Sequence, residues 1–163
     1  MDLPPNGRSF VFVQQVGQIP AKMPLRAERP ALNRKGRKMS VSRGFLVCGS
    51  LYLLFGILVG MYMGGSGDHT LAPAHAHINL LGFTLMTIFG ILYLVLPEMA
   101  ASGLARVHFW LHQVGAFVLL VMLMLFFTGR INEAQMVPVA PLAEAVVFIG
   151  ILCFAVNIWR NAR

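Results

Sequence analysis

Residues 76–96 read AHINLLGFTLMTIFGILYLVL, and this stretch decides the fold. It holds 21 residues with His77 as its only ionisable group. Crossing a hydrocarbon core of about 30 Å takes roughly 20 apolar residues in helical form. Peptide groups in lipid have no water to bond, so their hydrogen bonds must close within the segment. The stretch therefore predicts a membrane-spanning helix. Three further runs read the same way: residues 45–63 without a charge, 107–128 with His108 and His112, and 139–159 with Glu144. Turn-forming residues separate them: Gly64 to Asp68 and Pro73, then Pro97 and Ser102-Gly103, then Gly129, Asn132 and Pro138. The expected fold is all-α, a transmembrane four-helix bundle over residues 43–163.

Composition agrees. Hydrophobic residues make up 57% of the 163 and charged residues only 12%, half the roughly 25% of soluble domains. Mean hydropathy is +0.71. Such a surface requires lipid as its solvent, which argues against a soluble enzyme and against a disordered chain. The net charge of +7 is concentrated: nine of the 13 Lys and Arg lie in residues 1–43. A basic segment beside a span points to a cytoplasmic anchor on anionic lipid. No basic stripe interleaved with aromatics is present, so nucleic acid is not expected as a partner. Residues 1–42 carry Pro4, Pro5, Pro20, Pro24 and Pro30, and we expect a disordered tail there. Met39 is an alternative start of the chain.

Positive charge also orients the spans. With the tail inside, Arg106, Arg160 and Arg163 join it to make 12 inside, against Arg130 alone outside. Both termini are expected in the cytoplasm, in an inner membrane of bacterial type. The first span is long for a signal peptide and lacks a small-residue cleavage site directly after it, so it is read as a retained helix. Gly56, Gly60 and Gly64 repeat every fourth residue, a spacing that lets a second helix approach closely.

Histidines are the candidate functional residues, because an ionisable group within a span marks a site by default. His69, His75 and His77 sit at the outer mouth of the first helical hairpin, with Met61 and Met63 ending the span below them. Imidazole with thioether is a donor set that favours copper. A hydrogen-bonded polar rim is the other reading of this group. For His75 and His77 to act together, His75 must lie in the turn before the helix, since residues two apart do not share a helical face. His108 and His112 are four apart and do share a face, with Gly115 a turn further on. They are candidate cofactor ligands; polar packing is the alternative. By rise per residue, His77 and His112 should differ in depth by roughly 20 Å, too far to clamp one haem between them. Cys48 and Cys153 form no disulfide framework or CxxC motif.

Residues 74–110, AHAHINLLGFTLMTIFGILYLVLPEMAASGLARVHFW, resemble subunit I of the haem–copper oxidases, especially the C-family (cbb-type) enzymes and their nitric oxide reductase relatives. The resemblance rests on His77 heading a span, Gly90 13 residues later, Tyr93, Pro97, and the run Arg106 to Trp110. It implies that His77 corresponds to the family's copper-ligating histidine. The third span ends Leu125-Phe126-Phe127-Thr128 with no His-His pair, and the later residues lack the paired histidines that would hold haems. The implied protein is a short relative in respiratory electron transport, binding haem or copper, without a complete oxygen-reducing centre. Its expected partners are membrane lipid and either further copies of itself or a respiratory complex. Alternatives are a non-enzymatic accessory, assembly or copper-handling protein with an outer His/Met site, and a purely structural four-helix protein.

Overall fold

The computed structural model describes residues 40–162. Most of the basic tail, and with it the expectation of disorder, lies outside the described residues. Val41 and Ser42, assigned to the tail above, already belong to the first helix.

Among the described residues four helices are long and apolar enough to cross a membrane, and the chain is a multi-pass membrane protein. They span Val41–Ser66, Ala72–Val95, Gly103–Phe127 and Val139–Asn161, and are called the first to fourth helices below. No strand occurs among the described residues. Three of the helices start earlier than the apolar runs because polar residues and prolines also form helix. The Ser40 hydroxyl accepts the Arg43 N–H at 3.3 Å, and the Ser102 hydroxyl accepts that of Ala105 at 3.2 Å. Each satisfies one of the four N–H groups that a helix start leaves open. Pro73 lies in the first turn of the second helix, where no N–H is missed. The first helix ends at Gly67, whose φ of 70° is left-handed and whose N–H reaches the Met63 carbonyl at 3.0 Å. Within the second helix, Ile78–Thr84 widens into a π-helix. A short helix, Pro97–Ala101, joins it to the third.

The helices pair as two hairpins, first with second and third with fourth. Glycines set the spacing. A Cβ on Gly82 would meet the Tyr52 ring and one on Gly90 the Leu46 side chain, so the second helix carries slots for the first. In return, Gly56 faces the Asn79 amide and Gly60 the His75 ring. The expected third member of that stripe, Gly64, faces open space, because it lies a turn beyond the last residue of the second helix that the stripe meets. In the other hairpin Gly115 admits Val147 and the Ala143 carbonyl, and Gly150 lies against the backbone of Leu111 and His112.

The two hairpins meet on an aromatic core. Phe45, Phe89, Tyr93 and Phe109 are its buried rings. Most other large apolar side chains point outward, where lipid replaces water. In such a protein the interior need not be more apolar than the surface, and helix association relies on close packing and internal polar contacts. Among the described residues, Ser42, His108, His112 and Asn157 are the buried polar ones.

Candidate functional site

His108 and His112 project from one face of the third helix into the aromatic core, and both are 0% exposed. Their ring centres are 5.8 Å apart. Phe45 lies 4.9 Å from His108 and 6.0 Å from His112, and Phe89 lies 4.5 Å and 5.3 Å from them. Phe154 of the fourth helix adds a wall 5.2 Å from His108. Gly44 makes this closure feasible. Its missing side chain leaves room for the Phe109 ring, which would stand 2.8 Å from a Cβ there and so draws the third helix onto the first.

Each imidazole is anchored through one nitrogen only. His112 Nε2–H donates to the Leu81 carbonyl at 3.2 Å, from the third helix to the π-helical stretch of the second. That bond fixes the tautomer and leaves Nδ1 with a bare lone pair. His108 Nδ1 pairs with the Tyr93 hydroxyl at 3.0 Å. When Nδ1–H donates to the phenol oxygen, Nε2 is likewise a bare lone pair. His108 Nε2 and His112 Nδ1 are both buried and have no partner. A buried polar atom without a partner costs about 1–3 kcal/mol, so two within one turn call for a reason. Metal-binding histidines use the same arrangement: the far nitrogen donates to a carbonyl or another acceptor, and the near one is aimed at the ion.

The ring spacing suits an ion, while the packing leaves no room for a haem. Two imidazoles on one ion, with bonds of about 2 Å, place their ring centres about 5–6 Å apart, and 5.8 Å falls in that range. A porphyrin needs an open slab beside the ligand, and here Phe45, Phe89 and Phe154 occupy that space. A sizeable apolar groove of about 890 Å³ runs between the first and third helices, lined by Tyr52, Phe55, Ile78, Phe109 and Gln113 among others, but neither histidine lines it. The space beside Gly115, a turn beyond His112, is filled by Val147 and the Ala143 carbonyl of the fourth helix.

The outer set is dispersed. His75 and His77 both lie within the helix Ala72–His77, so the placement that a joint site required is not the one observed. His75 turns toward the first helix, its ring 3.1 Å from a Cβ on Gly60 and its Nε2 3.0 Å from the Asn79 amide. His77 is exposed, its Nδ1–H donating to the Pro73 carbonyl at 2.8 Å. His69 folds back on the Gly67 carbonyl at 3.0 Å. Met61 is 67% exposed while Met63 is buried. No group of three His, Cys, Asp or Glu side chains converges among the described residues. Beside His69, the Thr70 hydroxyl and N–H both donate to Asp68, which holds that carboxyl below its ordinary value.

The depth expectation also changes. His112 touches Leu81, only four residues from His77, or about 6 Å of helix rise. The third helix begins at Gly103 and is lifted by the short helix before it, so His112 lies further from the turn than the apolar run implied.

Asn157 escaped the sequence reading. It is fully buried, donates to the Met99 carbonyl at 3.1 Å, and accepts from Ser102 at 2.8 Å and Asn161 at 2.8 Å. An amide inside an otherwise apolar run was the available signal. No family model matches the chain, and no curated protein or solved structure matches it.

Proposed function

We propose that this is a small integral membrane protein of respiratory electron transport, related to subunit I of the haem–copper oxidases, which holds copper between His108 and His112. One observation carries the reading: two fully buried ring nitrogens, a helical turn apart, have no partner while their far nitrogens are anchored. Copper bound there supplies one-electron chemistry. The chain orients two neutral imidazoles, excludes water with Phe45, Phe89 and Phe154, and holds the far protons at Tyr93 and Leu81. The resemblance over residues 74–110 supports the respiratory assignment, although the ligands favoured by the packing are His108 and His112 and not His77. The reading places the chain in an inner membrane of bacterial type with both termini cytoplasmic, on the charge asymmetry. Its partners there are lipid and either a second copy or a larger respiratory complex.

Elemental analysis and an absorption spectrum of the detergent-purified chain test this. One copper per chain, lost in His108→Ala and His112→Ala, is expected. A Soret band abolished by the same substitutions would replace copper with haem. Absence of both from a copper-supplied preparation overturns the reading.

A further inference from the structure

Among the described residues none brings a carboxylate to the site. Asp68, Glu98, Glu133 and Glu144, the acids among the described residues, are all exposed. Among the described residues no third His, Cys, Asp or Glu joins the two imidazoles. The donors are two neutral nitrogens in a sealed aromatic cage, with both rings 0% exposed.

From this arrangement we infer that the pair selects a soft monovalent cation, Cu(I), over Cu(II) and Zn(II). The inference rests on the reading that His108 and His112 hold a metal, and adds its charge and coordination number. The cost of taking an ion out of water scales with the square of its charge. A divalent ion therefore pays about four times the penalty of a monovalent ion of equal size. In a site without a carboxylate or thiolate nothing offsets the difference. Coordination number acts in the same direction. Zn(II) takes four ligands and Cu(II) a tetragonal set. Cu(I), a filled-shell soft ion, is satisfied by two imidazoles opposed across it. The 5.8 Å between ring centres suits such a pair, and the surrounding phenyl rings exclude the water that a divalent ion would need to complete its shell. The Leu81 carbonyl accepts the His112 Nε2 proton, and when the Tyr93 hydroxyl accepts that of His108 Nδ1, both rings are neutral and each keeps one buried lone pair.

The test is an anaerobic titration of the detergent-purified full chain with Cu(I) against a chromogenic chelator, in parallel with Cu(II) and Zn(II). X-ray absorption of the copper-loaded protein accompanies it. The expected result is one Cu(I) per chain, bound more than about 100-fold more tightly than Zn(II), with a shell of two nitrogens. His112→Ala and His108→Phe, the latter filling the aromatic core in place of the imidazole, should each lose the ion. Circular dichroism confirms that they remain helical. Zn(II) or Cu(II) bound as tightly and lost in the same variants would overturn the charge selection and leave the metal reading intact. Cu(I) retained in both variants, or no metal bound by the parent, would overturn the metal reading itself.

Discussion

His112 Nε2 lies 3.2 Å from the Leu81 carbonyl oxygen, so a side chain of the third helix bonds the backbone of the second within its π-helical stretch. π-helical turns inside α-helices frequently mark functional sites, and here the turn holds the acceptor that orients a buried imidazole. The same bond ties the two hairpins together at the candidate site.

The unpartnered nitrogens predict an unusual stability result. In metal-free protein, His108→Phe combined with Tyr93→Phe should be neutral or stabilising, because it removes the unpartnered Nε2, which costs about 1–3 kcal/mol, together with both partners of the 3.0 Å bond. A thermal melt of the metal-free protein in detergent checks this. A marked loss of stability would mean that His108 Nε2 is satisfied in the membrane.

Gly115 should tolerate nothing larger than hydrogen. A Cβ there would stand 2.7 Å from Val147 and 3.0 Å from the Ala143 carbonyl. Gly115→Val should cost about 1–3 kcal/mol through overpacking. Gly64→Ala, facing open space, should leave the melting temperature unchanged. Comparing the two melts separates packing from general sensitivity to substitution.

Asn157→Leu should loosen the connection between the second and third helices. It leaves the Met99 carbonyl, Ser102 and Asn161 without their partner. A loss of about 1–2 kcal/mol is expected, together with faster proteolysis near residues 97–102. Unchanged protease resistance would show that the amide does not lock this turn.

Asp68 sets a pH dependence in the loop after the first helix. Its carboxyl is held low chiefly by the Thr70 hydroxyl and also by the Thr70 N–H. A carboxyl with a depressed folded value contributes above its unfolded value and loses that contribution as pH falls through the folded one. The Thr70 amide resonance should therefore titrate with a midpoint below that of Asp in an unstructured peptide. Thr70→Val should move the midpoint upward.

The charge asymmetry predicts the topology. Reporter fusions at Gly65, Gly103 and Asn132 should report outside, inside and outside. A cytoplasmic reporter at Gly65 would reverse the orientation.

Several features of the fold were readable because they depend on local chemistry. An apolar run must close its own hydrogen bonds in lipid, so four such runs become four helices with turns where Gly and Pro collect. Three helices start four residues before their apolar runs, since capping by Ser40 and Ser102, and Pro73 in the first turn of the second helix, bring further positions into helix. The glycine stripe was placed correctly at Gly56 and Gly60 and missed at Gly64. Whether a small residue faces a neighbour depends on where that neighbour ends.

The candidate site divides in the same way. Residue spacing determined that His108 and His112 share a face, because the helical period is a property of the backbone alone. Spacing also set the number of spans and the uneven distribution of charge between their ends. Tertiary structure alone decided that the pair faces inward onto Phe45, Phe89 and Phe154, that Leu81 and Tyr93 take one nitrogen from each ring, and that Asn157 closes the adjacent turn. It also scattered His69, His75 and His77 among separate local partners, although they are close in sequence. The physical reason is that hydrogen bonding and packing belong to pairs of segments, and which segments meet is set by how the helices dock.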